Sequence, residues 1–192
     1  GYEKASPILD RLHQAAHGAR RGGLVGAWLA QTMTGHSDAI NHVNISRDGR
    51  LAVSASSDCS VRLWELRTGN CISQFKGHQR PVFAVEFSPN DECLVTASKS
   101  YFLSSKDADQ FLRLWQVKGA KQIHNFKKFE GGVSALTFSQ DGVKLFVANT
   151  ESIADKGATF IQVLDVRSGG HLQSLSGHSD VVTCMAVFGG GR

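Results

Sequence analysis

The dipeptide Gly-His recurs at Gly35-His36, Gly77-His78 and Gly177-His178, and this repetition constrains the fold more than any other feature of the chain. The first two copies are 42 residues apart, and the remaining interval of 100 residues has room for two longer units. Self-similarity at a fixed period is the mark of repeat architectures, in which each unit buries its apolar face by stacking on its neighbours. The spacing therefore predicts an array of similar units.

Each unit contains short segments of alternating apolar and polar residues separated by turn residues. Residues 40–46, 82–88 and 133–139 align without gaps, and Val182 starts a fourth copy. Alternation with a period of two is typical of a strand, and Asp-Gly, as at Asp48-Gly49, supplies the positive φ of a tight hairpin turn. We therefore expect each unit to be a four-stranded meander. The strands expected for the first unit lie near 40–46, 51–57, 61–66 and 71–76.

The third strand of two units ends in a shared sequence motif, Val-Arg-Leu-Trp-Glu at 61–65 and Leu-Arg-Leu-Trp-Gln at 112–116. Together with Gly-His and the Asp-bounded turn, this pattern resembles the WD40 repeat over about residues 27–188. The resemblance implies an all-β fold: a WD40-type β-propeller segment of about three four-stranded blades. The blade units are expected at about 36–77, 78–128 and 129–177.

Three blades are fewer than a closed propeller uses, so the resemblance implies an incomplete partial propeller over 27–192 with cut strands at both ends. Residues 28–34 are expected to be the outermost strand of a preceding blade, and 181–188 the innermost strand of a following one. We expect further blades from a longer parent chain; the alternative is completion by a second chain.

Residues 1–26 lie outside the repeats and are expected to form a short N-terminal helix or linker. Ser6-Pro7 can cap and start a helix, and the glycines from Gly18 to Gly26 are typical of a linker. Packing of such a helix on the propeller or on a preceding domain is one interpretation, and a dedicated partner-binding helix is the other. The apolar face expected for it consists of Ile8, Leu9, Leu12, Ala15 and Ala16.

The resemblance also implies a structural tetrad in each blade, in which His, Ser or Thr, Asp and Trp form a buried chain of hydrogen bonds. The first blade offers His36, Ser56, Asp58 and Trp64, and the second offers His78, Ser98, Asp109 and Trp115. In the third blade Phe129, Ala158 and Leu164 replace the His, Asp and Trp, and only Thr150 remains. We therefore predict that packing of Phe129 against Leu164 holds that blade.

The second and third blades carry insertions between their second and third strands, at 99–108 and 151–157. The resemblance places both loops on the face that carries the Gly-His loops. Because rigid scaffolds concentrate function on their loops, these two make a candidate partner-binding patch. Tyr101, Phe102 and Leu103 form an aromatic and apolar tip of the kind that anchors interfaces. The alternative is that Phe102 only caps its own blade.

No Gly-rich phosphate loop, paired catalytic carboxylates or metal-ligand spacing is present, so we expect no enzyme, no cofactor and no metal. The four cysteines contain no Cys-x-x-Cys pair, which suits a reducing compartment, and no apolar run is long enough to span a membrane. The net charge of +4 is scattered, which argues against specific nucleic-acid binding. We expect a cytoplasmic location, with a nuclear one open.

These features predict a non-catalytic scaffold that binds other proteins or peptides through its top-face loops. Two alternatives stay open. Trp64-Glu65-Leu66-Arg67 resembles the Trp-Asp-x-Arg box of WD40 substrate receptors of cullin-RING ubiquitin ligases, which makes Arg67 a partner-binding candidate. Residues 179–188 resemble the propellers of NACHT and WD repeat proteins, where the array is a sensor region of a signalling protein.

Overall fold

The computed structural model describes residues 31–98, 112–126, 133–149 and 160–187. The chain divides into two units, Gly1–Thr32 and Met33–Arg192, and the architecture below belongs to the second. The helix or linker predicted for residues 1–26 lies outside the described residues.

Twelve described strands form three four-stranded antiparallel sheets, each made of strands consecutive in the chain. This confirms the all-β prediction, and the strands of the first sheet lie within one residue of the expected bounds. The first sheet contains β1 (Ile40–Ile45), β2 (Leu51–Ser56), β3 (Val61–Glu65) and β4 (Cys71–Phe75). The second contains β5 (Val82–Phe87), β6 (Cys93–Ser98), β7 (Leu112–Gln116) and β8 (Lys121–Phe126). The third contains β9 (Val133–Phe138), β10 (Lys144–Asn149), β11 (Phe160–Asp165) and β12 (His171–Ser176).

The turn between the first two strands of each sheet has the same construction. A serine hydroxyl donates to the side chain two residues later, from Ser46 to Asp48 Oδ1 at 2.8 Å and from Ser139 to Asp141 Oδ1 at 2.5 Å. Each turn also contains a residue with positive φ, namely Gly49, Asp91 or Gly142. Glycine, Asn and Asp tolerate this conformation best, which is why the turn residues stood out in the sequence.

The core lies between the sheets. One apolar cluster joins the first sheet to the second, and its largest members include Phe75 and Trp115, whose ring centroids are 5.6 Å apart at an interplanar angle of 70°. A second cluster joins the second sheet to the third and includes Phe126, Phe138 and Leu164. Each sheet thus buries a face against the next, as repeat units do.

Residues 31–34 and 181–187 are the described parts of the two cut terminal strands expected from the sequence, which stay predictions. Neither 31–34 nor 181–187 is assigned to a strand, and neither forms a ladder with any described strand. A strand needs a hydrogen-bonding neighbour, and the alternating sequence alone does not supply one.

The third sheet presents a face that its two predecessors bury. Leu175 stands opposite Ile161 as Phe75 stands opposite Val61 and Phe126 opposite Leu112. Phe75 and Phe126 are 0% and 2% exposed, whereas Leu175 is 37% exposed. Packing by a following sheet, rather than residue type, makes this difference.

Candidate functional site

A chain of hydrogen bonds crosses the first sheet from its third strand to the loop before its first. Trp64 Nε1 donates to Ser54 Oγ at 2.8 Å, and His36 Nε2 lies 2.7 Å from the same hydroxyl. His36 Nδ1 lies 2.8 Å from Asp58 Oδ2. Because a carboxylate only accepts, the Asp58 contact places the imidazole proton on Nδ1, so Ser54 donates to Nε2.

The hydroxyl in this chain belongs to Ser54, so the prediction of Ser56 is wrong. Ala52 pairs with Trp64 across β2 and β3, and Ser54 is two residues further along β2 on the same face. Ser56 is about 7 Å beyond Ser54 at the usual strand rise, too far for the indole. It instead donates to the carbonyl of Asp38 at 3.1 Å and accepts from the backbone N–H of Asp58 at 3.1 Å, which closes the following turn.

Asp58 is held in its ionised form by the groups around it. Burial by itself would raise the pKa of Asp58, but hydrogen bonds outweigh it and hold that pKa far below its ordinary value. The donors are the side chains of Ser60 and His36 and the backbone N–H groups of Ser60 and Ser37. Such a carboxylate anchors the imidazole in one orientation across the pH range in which proteins work.

The second sheet repeats the chain with a threonine hydroxyl. Trp115 Nε1 donates to Thr96 Oγ1 at 2.8 Å, and His78 Nε2 lies 2.7 Å from that oxygen. Thr96 occupies the position of Ser54, so the prediction of Ser98 is wrong for the same geometric reason. Ser98 Oγ is buried, and no described group hydrogen-bonds to it. Asp109, the predicted fourth member, lies outside the described residues.

In the third sheet, the described positions that correspond to this chain of hydrogen bonds are occupied by apolar residues. By strand register, Val147 stands where Ser54 and Thr96 stand, and Leu164 stands where the tryptophans stand. Both are buried, at 0% and 3% exposure, and belong to one core cluster. The hydroxyl position is therefore Val147, so the assignment of Thr150 to it is wrong. Thr150, Phe129 and Ala158 lie outside the described residues, and the predicted packing of Phe129 on Leu164 stays a prediction.

Asp58, His36 and Ser54 form the same order of contacts as a hydrolase triad, but the surroundings favour a structural role. Ser54 is 3% exposed, and its oxygen already accepts the indole N–H. A nucleophile needs room for a substrate carbonyl, and the buried Ser54 has none. The repetition of the chain through Thr96, with Trp115 in the same place, indicates that it joins strands within each sheet.

A half-buried histidine, His42 in β1, lies at the junction of the first two sheets. Desolvation by burial lowers the pKa of His42 below its ordinary value of 6.5, and a hydrogen bond with the backbone of Val85 opposes this shift only in part. No described group bonds to its Nδ1. Ala84 pairs with Ala97 in the second sheet as His42 pairs with Ala55 in the first.

Protonation of His42 is expected to weaken the fold. Since the folded-state pKa is lowered, the unfolded chain takes up the proton first, and stability falls as the pH drops below about 6.5. We expect urea unfolding measured between pH 8 and pH 5 to show a smaller loss of stability for His42→Ala than for the original chain. The exposed His171, changed to Ala, is the control. Equal acid sensitivity in all three proteins would contradict the assignment.

The partner-binding residues predicted from the sequence are only partly visible. Tyr101, Phe102 and Leu103 lie outside the described residues. Arg67 lies in the turn between β3 and β4, where its side chain is 82% exposed and its Nη2 is 4.0 Å from Glu65 Oε2. Such an exposed pair contributes little to stability, so Arg67 is available to a partner.

Polar bridges between neighbouring sheets were missed by the sequence reasoning. Asn44 Oδ1 accepts from Phe87 N at 3.5 Å, and the next sheet repeats the contact, with Glu86 Oε1 accepting from Phe138 N at 3.4 Å. Glu86 Oε1 also accepts from Thr137 Oγ1 at 3.0 Å. The alignment of the three first strands shows a polar residue at each of these positions, which was the available signal.

The described residues contain no group of three or more His, Cys, Asp or Glu placed to hold a metal ion. Among the same residues, no helix has the length and apolar character needed to cross a membrane.

Comparison with known proteins matches two segments, 28–65 and 69–116, to the family model described as WD domain, G-beta repeat. Similar curated proteins include three named Eukaryotic translation initiation factor 3 subunit I. The one from Neurospora crassa is 28% identical over 135 residues, 70% of this chain and 36% of the relative. The Aspergillus terreus protein is 29% identical over 153 residues, 79% and 42%. The Aspergillus oryzae protein is 31% identical over 134 residues, 70% and 36%. The chain thus spans well under half the length of these relatives.

Proposed function

Because this chain belongs to the WD40-repeat proteins, we propose that it is a non-catalytic scaffold that binds other proteins. The observation that carries the proposal is that the side chains capable of catalysis hydrogen-bond to one another inside the sheets. In the first sheet, hydrogen bonds join His36 to Ser54 and Asp58, and Ser54 to Trp64. In the second sheet, His78 and Thr96 repeat the arrangement. Partner binding is therefore assigned to the surface loops that these rigid sheets support.

The finer part of the proposal is that the partners are subunits of a translation initiation factor, with the work done in the cytoplasm. The names of the three relatives support it, since each is a subunit of initiation factor 3. None of these names points to a ubiquitin-ligase receptor or to a NACHT-type sensor. Tyr101, Phe102 and Leu103 are the proposed contacts, with Arg67 as a further one.

Affinity capture tests this function. The tagged chain is used as bait in a eukaryotic cell extract, and the subunits of initiation factor 3 are quantified by mass spectrometry. We expect them to be enriched with the original chain and depleted about tenfold or more when Tyr101 and Phe102 are both changed to Ala, since aromatic anchors contribute about 2 kcal/mol or more. Arg67→Ala, made in parallel, tests the turn between β3 and β4.

A capture without any initiation factor subunit would contradict the translation assignment. Unchanged capture by the double variant would instead move the binding surface away from the loop at 99–108. Thermal unfolding of each variant serves as the control, because a loss of fold would also abolish capture.

A further inference from the structure

A groove of 480 Å³ lies where the first strands of the three sheets end. This volume falls within the range of about 300–1,000 Å³ typical of small-ligand pockets. The turns after β1, β5 and β9 form its rim, and Glu86 lies between two sheets within it. Residues lining it include Ile45, Arg47, Glu86, Phe87, Asp91 and Phe138.

Glu86 has one engaged oxygen and one available oxygen. Its Oε1 accepts from both Thr137 Oγ1 and Phe138 N, whereas no described group bonds to Oε2. The side chain is only half-buried, so solvent or a ligand reaches it through the groove. Desolvation by burial raises the pKa of Glu86 despite these two hydrogen bonds, which means that its negative charge is incompletely compensated.

The charges around the groove favour a cation. The lining residues include two that carry carboxylates, Glu86 and Asp91, and one that carries a guanidinium, Arg47, and no ion pair joins these groups among the described residues. The backbone N–H of Arg47 donates to Asp91 Oδ1 at 2.9 Å, which holds the Asp91 carboxylate at the rim. A positively charged organic group can supply this charge while its apolar part contacts the groove.

The chemistry of the lining favours one kind of organic cation. Ile45, which is 38% exposed, supplies apolar surface against which an aliphatic stem can pack while its charged end reaches the carboxylate, whereas Phe87 and Phe138 are buried beneath the groove. An arginine fork prefers two free carboxylate oxygens, whereas an ammonium group needs only one. Glu86 offers one, Oε2.

We propose that this groove binds a lysine side chain of a partner protein, with the ammonium group on Glu86 Oε2 and the stem against Ile45. The inference deepens the proposed scaffold function and rests on it only in assigning the lysine to a protein. It places a second contact surface at the turns after β1, β5 and β9, separate from the loop at 99–108.

The test uses the full chain and three small probes. Nα-acetyl-lysine methylamide, the arginine analogue and the uncharged norleucine analogue are titrated into ¹⁵N-labelled protein, and shifts of the Glu86, Phe87 and Phe138 amides are followed by NMR. We expect saturable binding of the lysine probe, and affinity weaker by about tenfold or more for the norleucine probe, because a hydrogen bond to a charged group contributes about 1.5–3 kcal/mol. Equal affinity for the lysine and norleucine probes would overturn the proposal, as would tighter binding of the arginine probe.

Variants locate the site. Glu86→Gln keeps an oxygen that accepts from Thr137 and Phe138, so the sheets stay bridged, yet we expect the lysine affinity to drop about tenfold or more. Glu65→Gln, in β3 outside the groove, is the matched control and should leave the affinity unchanged. Arg47→Gln should strengthen binding by removing a like charge. Unchanged binding by Glu86→Gln or weaker binding by Arg47→Gln would overturn the proposal.

The outcome is separable from that of the capture experiment. Lysine-probe binding that depends on Glu86, together with no captured initiation factor, would support the groove and contradict the translation assignment. Capture of initiation factor subunits without lysine-probe binding would support the translation assignment and overturn the groove proposal.

Discussion

Phe75→Ala is expected to lower the free energy of unfolding by about 3–5 kcal/mol, the largest effect of any change considered. The Phe75 side chain is fully buried at the end of β4 and packs edge-on against Trp115 of the second sheet. Its removal leaves a cavity within the cluster that joins the two sheets, and close-packed neighbours collapse into such a cavity only in part. Urea denaturation followed by tryptophan fluorescence measures the loss.

Leu175→Ala is the matched control for Phe75→Ala. Leu175 occupies the same place in the third sheet, opposite Ile161, but it is 37% exposed because no following sheet covers it in the described chain. We expect a loss of about 1 kcal/mol or less, as for a partly exposed apolar side chain. Comparable losses at both positions would contradict the view that packing between sheets, rather than strand register, makes Phe75 important.

Thr96→Val is expected to lower the free energy of unfolding by about 2–4 kcal/mol, the second largest effect. The change conserves shape but removes the oxygen that bonds both Trp115 Nε1 and His78 Nε2. Each of these buried groups would lose its contact with Thr96, and an unsatisfied buried polar group costs about 1–3 kcal/mol. The same denaturation experiment measures the effect.

Ser98→Ala distinguishes the observed hydrogen-bond chain from the one expected from the sequence. No described group bonds to Ser98 Oγ, so its removal should change stability by less than about 1 kcal/mol. If Ser98→Ala proved as damaging as Thr96→Val, the hydroxyl of Ser98 would belong to the chain after all, and the assignment of Thr96 would be wrong.

The choice between two hydroxyls shows where prediction from the sequence ended. Ser54 and Ser56 are two positions apart, so both side chains fall on one face of β2 and the alternating pattern cannot separate them. Only the pairing of Ala52 with Trp64 places Ser54 within reach of the indole. The same register puts Val147 in the corresponding place of the third sheet, where the sequence alignment had pointed to Thr150.

Contacts between sheets were likewise beyond prediction. Glu86 and Thr137 are 51 positions apart in the chain and still share a hydrogen bond. Nothing in the local pattern around either residue specifies the other, because the contact depends on how the second sheet stacks on the third. His42 shows the same limit: its place in β1 was predicted, but its hydrogen bond with the backbone of Val85 in the second sheet was not.

What the sequence determined by itself was the local structure: the alternation that makes the strands, the positive-φ residues that make the turns, and the Gly-His and Trp positions that mark the repeat. These features depend on residues close together in the chain. The tertiary structure alone decided which hydroxyl joins histidine to tryptophan, which aromatic residues become core, and where Glu86 meets Asp91 and Arg47 around one groove. Those outcomes depend on strand register and on the stacking of whole sheets, which bring together residues that no local pattern relates.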